Sequence, residues 1–331
     1  MLHFRTEGFN GCAVKYSPFF DNRLAVASSA NFGLVGNGRL YILELTPNGI
    51  VPYKWFTTQD SLYDLAWSEI HENQVLTASG DGSIKLFDTE VADFPIQNWK
   101  EHNREVFSVH WNLVAKDRFC SSSWDGTVRV WTPNRPHSLL TLPTHSCTYS
   151  AAFSPHSPDI LSCVSSDSYL RVFDLRTPAS ASNHLTLQVP IHGGGGGGYR
   201  PSTIATAGVD RTIRTFDIRA PGQGPQTVML GHEYAVRKVA WSPHLSDVLL
   251  SASYDMTCRA WSDQTPPGAV GDVDVMRAGP GPNMGVELGR MGRHTEFVTG
   301  VDWCLFGSEG WCASVGWDES LYVWDVRAVM G

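Results

Sequence analysis

The sequence predicts an all-β protein, a seven-bladed β-propeller closed by its own N-terminal strand. Three observations predict it: a cassette of about 43 residues repeated seven times, a polar turn residue at one register in each copy, and a C-terminus that leaves no room for a final strand. Each copy reads as one small sheet that cannot bury its faces alone, so the copies must stack.

The turn residues are Asn37, Asp81, Asp125, Asp167, Asp210, Asp255 and Asp318, spaced by 44, 44, 42, 43, 45 and 63 positions. An aromatic stands 14 residues before the turn at Trp67, Trp111, Phe153 and Trp241, and 15 before it at Trp303. Another closes the following strand six residues after the turn, at Phe87, Trp131, Phe173, Phe216, Trp261 and Trp324. Between them lie short apolar or alternating runs such as VFSVHW and TVRVW, which read as strands bounded by turns. Four short strands in roughly 40–45 residues is the signature of a WD40 blade.

Three copies carry a full polar set: His102/Ser121/Asp125/Trp131, His232/Ser251/Asp255/Trp261 and His294/Ser314/Asp318/Trp324. Such a set satisfies buried polar groups: the Asp accepts from the His, the hydroxyl meets the ring, and the indole N–H finds a partner. A Ser/His/Asp set also invites reading as a nucleophilic triad. Recurrence at fixed offsets assigns it to architecture instead. The other copies have Cys163 or Thr206 at the hydroxyl position and Phe at the Trp position.

The final run SLYVWDV ends a few residues before Gly331, so the opening residues Leu2 to Thr6 are expected to supply the outer strand of the seventh blade. Leu2–Thr6 thereby joins the two chain ends in one sheet. The chain is expected to form one WD40 propeller domain over 1–331.

A net charge of −8, from 25 basic and 33 acidic residues, disfavours a nucleic-acid surface and suits a cationic partner. The seven cysteines (12, 120, 147, 163, 258, 304, 312) form no C-x-x-C pair and fall mostly on expected strands, as reduced buried thiols in a cytosolic protein would. No signal peptide or membrane span is read, and no motif calls for a metal or cofactor. An enzyme is disfavoured, because the convergent polar sets are repeat residues.

Two segments break the rhythm. A Gly/Pro-rich stretch at 262–293 accounts for the long last spacing and is expected to loop out after the third strand of blade six. Six glycines at 193–198 fall where the count of 14 back from Asp210 reaches Gly196, the place of an inner-strand aromatic. The run reads as an engineered replacement or an unusual insertion. It matches G-x-G-x-x-G and, with His192, an oxyanion motif, but lacks the strand–helix context of either.

QDSLYDLAWSE (59–69), KEHNREVFSVHW (100–111), GHEYAVRKVAWSP (231–243), HTEFVTGVDW (294–303) and GWDESLYVWD (316–325) resemble the peroxisomal import receptors for type-2 targeting signals, the peroxin-seven family. Residues 11–43 resemble that family's atypical first blade; the glycine run departs from its pattern. The resemblance implies a receptor for a cargo protein's N-terminal signal, a basic amphipathic helix with Arg or Lys and Leu near its start and His or Gln followed by Leu near its end. It also implies a peroxin co-receptor, a docking complex at the peroxisome, and a cytoplasmic protein that shuttles without inserting into the membrane. A generic WD40 scaffold in a chromatin or ubiquitin-ligase complex is the alternative, favoured by the aromatic-Asp-x-Arg endings at Arg176, Arg219 and Arg327.

Propeller geometry narrows the surface. The turns and the loops entering the inner strands share one face, here the turn face. The residue before each turn Asp gives Trp124, Tyr254 and Trp317. The fourth residue before the inner-strand aromatic gives Tyr63, Phe107, Tyr149 and Arg237; the sixth gives Glu105 and Ser61. Acid nearby includes Asp60, Asp64 and Glu296. The expectation is that Glu105 and Asp60 meet signal cations while Trp124, Phe107 and Trp317 pack its leucines.

Overall fold

The computed structural model describes residues 1–330 except 92, 178–183, 192–196, 201 and 265–281, with 197–200 described as backbone. It is a seven-bladed β-propeller. The blades begin with the inner strands Asn10–Tyr16, Leu62–Trp67, Val106–Trp111, Thr148–Phe153, Gly197–Arg200, Val236–Trp241 and Val298–Trp303, numbered blades 1 to 7. Successive inner strands pack side by side, and Asn10–Tyr16 meets Val298–Trp303 to close the ring.

Closure uses both chain ends, as the sequence requires. Leu2–Arg5 pairs antiparallel with Ser320–Asp325, Leu2 opposite Val323 and Arg5 opposite Ser320. Blade 7 thus has no missing outer strand, and its edge is filled from within the chain.

The core lies between blades, because each sheet buries both faces against its neighbours. Leu76, Ile84 and Leu86 of blade 2 pack with Val106, Trp111, Phe119 and Trp131 of blade 3. Trp99, Trp111, Trp131, Trp261 and Trp324 are fully buried. Burial of a large apolar side chain contributes roughly 1.5–3 kcal/mol, so these rings dominate each interface. Two of the inner-strand tryptophans also stitch blades together. Trp67 Nε1 donates to the Lys15 carbonyl at 3.1 Å and Trp303 Nε1 to the Ala240 carbonyl at 2.9 Å.

The three polar sets form as expected. In blade 6, His232 Nδ1 lies 2.7 Å from Asp255, its Nε2 lies 2.6 Å from Ser251 Oγ, and Trp261 Nε1 donates to the same oxygen at 2.8 Å. Blade 3 repeats this at 2.8 Å for all three contacts. In blade 7 the distances are 2.9, 3.0 and 3.3 Å. Burial pushes the carboxyls of Asp125, Asp255 and Asp318 up, but hydrogen bonds led by the His ring outweigh it and hold all three below the ordinary value.

Blade 5 corrects the count that placed an inner aromatic at Gly196, which lies outside the described residues. Tyr199 stands opposite Ile204, the register at which Trp111 faces Phe119 and Trp241 faces Leu249. The aromatic is there in sequence, with a connection three residues shorter. Blade 5 also gains a fifth strand, Asn283–Met284, parallel to Thr227–Met229. The long 262–293 excursion therefore is not loop throughout. It leaves blade 6 after Cys258–Ser262, touches blade 5, and returns as the blade 6 outer strand Val286–Met291. Gly285 makes that crossing possible, since a Cβ there would lie 2.6 Å from Met229 Cγ and 2.9 Å from the Ser262 carbonyl.

All seven cysteines are free thiols, five of them buried. The Asp–Arg endings are exposed ion pairs, with Arg219 2.8 Å from Asp217 and Arg327 2.7 Å from Asp325. No helix among the described residues is long and apolar enough to cross a membrane.

Candidate functional site: an aromatic funnel on the turn face

Six of the seven inner strands break register near their first turn, and the break falls on one residue each time. The shifts lie between Gly11 and Ala13, Leu62 and Asp64, Val106 and Ser108, Thr148 and Ser150, Val236 and Lys238, and Val298 and Gly300. The unpaired residues are therefore Cys12, Tyr63, Phe107, Tyr149, Arg237 and Thr299. A bulge re-aims the side chain it carries. Here all six turn into a cavity of about 560 Å³ at the mouth of the central channel.

The residues before the turns complete the wall. Trp124, Tyr254 and Trp317 line the cavity from blades 3, 6 and 7, and Ser166 and Val209 occupy the equivalent places in blades 4 and 5. Two aromatic arrays result. On one side Tyr63 stacks on Phe107 at 4.7 Å, Phe107 stacks on Trp124 at 4.5 Å, and Tyr149 meets both edge-on. On the other, Tyr254 stacks on Phe297 at 4.5 Å, and Trp317 lies 5.2 Å from Phe297 and 5.4 Å from Phe32. Arg237 sits over the Phe107 ring at 5.4 Å, and no carboxylate among the described residues forms a salt bridge with it.

The third part of the wall is the 30–37 connection of blade 1, which the sequence did not single out. Asn31 and Phe32 hold left-handed backbone, at φ 49° and 59°. Such conformations persist only when neighbours fix them. The buried Asn10 does so: its Oδ1 accepts from the Phe32 N–H at 2.7 Å, and its Nδ2 donates to the Trp317 carbonyl at 2.6 Å. Tyr63 Oη donates to the Gly33 carbonyl at 2.8 Å. A Cβ on Gly33, itself at φ 76°, would sit 3.1 Å from the Tyr63 ring. Glycine lets the loop lean onto that ring, with Leu34 exposed at the mouth.

The cavity thus gathers seven of the expected residues: Tyr63, Phe107, Trp124, Tyr149, Arg237, Tyr254 and Trp317. The four acids fall in different places. Glu105 and Asp60 flank Tyr63; burial first, then the fields of Cys12, Asp60 and Glu105, pushes its phenol up to about 12. The Glu105 carbonyl accepts from the Trp124 N–H at 3.1 Å, which ties it to the wall. Asp60 Oδ1 accepts from the Ser61 N–H at 2.7 Å. Glu296 is exposed outside the cavity wall. Asp64 lies deeper. One residue past the bulge, it points into the channel, where Oδ2 accepts from the Val109 N–H at 3.3 Å and Oδ1 lies 3.5 Å from Lys238 Nζ.

Sequence reasoning missed Phe32 and Phe297. Phe297 stands six residues before Trp303, the offset that selected Glu105, so a signal was present. Phe32 had none, because its place depends on Asn10. No group of His, Cys, Asp and Glu among the described residues could hold a metal ion. Burial, its largest influence, pushes the Cys12 thiol on the cavity floor up to about 11, which keeps it protonated.

Comparison with known proteins agrees with the repeat reading. The WD domain, G-beta repeat, model matches residues 94–132, 136–174, 223–262 and 285–325. Over most of its length the chain is similar to the peroxisomal targeting signal 2 receptor of Saccharomyces cerevisiae, 42% identical over 98% of this chain and 99% of the relative. It is 39% identical to peroxisome biogenesis protein 7 of Arabidopsis thaliana, over 96% of this chain and 95% of the relative. The human peroxisomal targeting signal 2 receptor is 35% identical, over 90% of this chain and 87% of the relative. With likeness of this extent across the whole propeller, the chain belongs to the family of peroxisomal targeting signal 2 receptors.

Proposed function

We propose that this chain is an import receptor that binds the type-2 targeting signal of peroxisomal cargo on its turn face, working as one propeller domain. The observation that carries the reading is the aromatic funnel with Asp60 and Glu105 beside Tyr63. The signal is a basic amphipathic helix. Its leucines enter between the two aromatic arrays, and its cations meet the two carboxylates at the edge. A volume of about 560 Å³ suits the side chains of one helix face rather than a whole helix. A groove of this kind reads an amphipathic helix through a few apolar anchors. Trp124 Nε1 is buried without a hydrogen-bond partner among the described residues, a donor that a bound chain would satisfy.

On this reading a separate co-receptor completes the grip on the helix, and the receptor carries cargo from the cytoplasm to a docking complex at the peroxisome. The chain acts as a binding protein rather than as an enzyme. Titration calorimetry with a signal peptide tests the site directly. Truncating Trp124 to Ala costs about 2 kcal/mol of binding or more, as for a central aromatic anchor. Glu105→Lys slows association and flattens its salt dependence. Unchanged binding by Glu105→Lys, or by a signal peptide stripped of its arginine, sinks the charge assignment.

A further inference from the structure

The loops that follow the inner strands open on the face opposite the turns, and they repeat one device. The residue after the inner-strand aromatic is Ser17, Ser68, Asn112, Ser154 and Ser242 in blades 1, 2, 3, 4 and 6. Its side-chain oxygen accepts from the N–H two residues on: Phe19 at 3.1 Å, Ile70 at 3.2 Å, Val114 at 3.0 Å, His156 at 3.2 Å and His244 at 3.2 Å. In blades 1, 2, 3 and 6 it also accepts from the next N–H. Each loop is therefore fixed from within, and the side chains it turns outward are preset for a partner.

What the loops present differs around the ring. Blades 7, 1, 2 and 3, which are consecutive, carry Leu305, Phe19, Ile70, Leu113 and Val114, each 41–46% exposed. Blades 4 and 6 have Pro155 with His156 and Pro243 with His244 at the same places. Single exposed apolar residues are ordinary, but five at one register on four adjoining blades form a crescent. Two recesses flank it. Leu113 and Leu305 border one of about 240 Å³, and Ile70 and Ile96 border another of about 310 Å³. Both are small enough to take single anchoring side chains rather than a whole ligand.

Charge completes the pattern. Residues 17–22, 68–73, 112–118, 154–159, 242–247 and 304–310 hold seven acids and two bases, a stronger bias than the 33 to 25 of the whole chain. Both bases are spent within the loops: Lys116 lies 3.4 Å from Glu69, and Arg118 lies 2.8 Å from Asp117. On the crescent, Asp21, Glu72 and Glu309 are exposed and form no salt bridge among the described residues. Asp21 stands two residues beyond Phe19, Glu72 two beyond Ile70 and Glu309 four beyond Leu305, each nearer the second strand of its blade. An apolar row at the channel mouth is thus backed by an acidic row outside it. The mouth itself adds no free charge, since Lys15 pairs with Asp302 at 2.7 Å and Lys238 lies 3.5 Å from Asp64.

We propose that this crescent docks a basic amphipathic helix of a partner protein. Its apolar face lies on Phe19, Ile70, Leu113 and Leu305, and its Lys or Arg side chains meet Asp21, Glu72 and Glu309. An apolar row flanked by carboxylates is the complement of such a helix. The surface is separate from the funnel, so a receptor loaded on the turn face keeps it open to a second protein.

Fluorescence anisotropy tests this on the full chain with a labelled model helix of about 14 residues, roughly 21 Å long, leucine on one face and lysine on the other. Saturating signal peptide is present to fill the turn face. One-to-one binding with a Kd of about 10 μM or tighter is expected, and at least about tenfold weaker binding when glutamate replaces lysine in the probe. Ile70→Ser combined with Leu113→Ser weakens the lysine probe at least about tenfold. Asp21→Lys, Glu72→Lys and Glu309→Lys together do the same and flatten its salt dependence. All five positions are exposed, and both variants leave signal-peptide binding unchanged. Displacement of the probe by signal peptide, equal binding of the two probes, or wild-type affinity in either variant overturns the proposal. Sedimentation of the chain alone covers the remaining occupant: a dimer that Ile70→Ser with Leu113→Ser dissociates assigns the face to a second copy and overturns it too. A signal peptide that fails to bind defeats the turn-face reading alone, because the crescent variants still decide where the probe sits.

Discussion

Blades 3, 6 and 7 and blades 2, 4 and 5 solve the same problem in two ways. In the first group the turn Asp is held by a buried His, a hydroxyl and a Trp; the side chains of Asp125, Asp255 and Asp318 are only 7%, 3% and 4% exposed. In the second the His–Ser–Trp set is lacking, and a cation four residues on grips the Asp: Lys85 on Asp81 at 3.1 Å, Arg171 on Asp167, and Arg214 on Asp210 at 3.0 Å. Those three Asp side chains are 26–31% exposed. One device is buried hydrogen bonding, to which blade 6 adds the buried Arg259 at 3.0 Å, and the other is a partly exposed ion pair alone. The distinction follows the cavity wall. The residues before the turns are Trp124, Tyr254 and Trp317 in the first group, and Gly80, Ser166 and Val209 in the second. The large aromatics stand beside the turns whose Asp is most deeply buried.

The largest test of this contrast is removal of the turn carboxylate. Asp255→Ala leaves Arg259, whose side chain is 2% exposed, with Glu287 as its remaining counter-charge, and takes the acceptor from His232 and the Thr257 hydroxyl. Breaking such a buried pair from one side costs about 3–5 kcal/mol. Asp210→Ala, against the half-exposed Arg214, costs no more than about 1 kcal/mol. Denaturant unfolding of the two variants reads the difference directly, and equal losses remove the distinction.

Ser251→Ala sharpens it. The hydroxyl serves both His232 and Trp261, so its loss leaves two buried polar groups without a partner. The expected destabilisation is about 1–3 kcal/mol, with the adjacent Tyr254 loosened in its stack on Phe297. Weaker signal-peptide binding at a temperature where the variant remains folded would connect the polar set to the funnel.

The smallest effect separates the two devices by salt. Arg214→Gln lowers stability by less than about 1 kcal/mol at low ionic strength, and about 1 M salt, where the Debye length is near 3 Å, erases the loss. The cost of Ser251→Ala persists under the same conditions, since no exposed charge is involved. Thermal melts of both variants across a salt series check this.

The comparison also marks how far the sequence could be read. The register of Asp125, Asp255 and Asp318 with their His, Ser and Trp partners was legible, because the repeat fixes every offset. The same arithmetic brought Tyr63, Phe107, Tyr149 and Arg237 to one face. Its physical basis appeared only in the structure: each of them is a bulge residue turned out of the ladder into the channel. Asp64, one residue further along, was counted with that face yet belongs to the channel. Strand alternation separates neighbours by a whole face, and a bulge decides which neighbour goes where.

By itself, the sequence determined the number of blades, the closing role of Leu2–Thr6, observed as the strand Leu2–Arg5, the polar sets and the face that carries the aromatics. These are local or periodic properties, repeated often enough to average out any single irregular copy. Only the tertiary structure decided that Phe32 meets Trp317 through Asn10, that Tyr199 takes the inner position of blade 5, and that Asp64 of blade 2 meets Lys238 of blade 6 across the channel. The first and last of these join residues from distant copies, which ring closure brings together, while Tyr199 takes its place by pairing within its own blade.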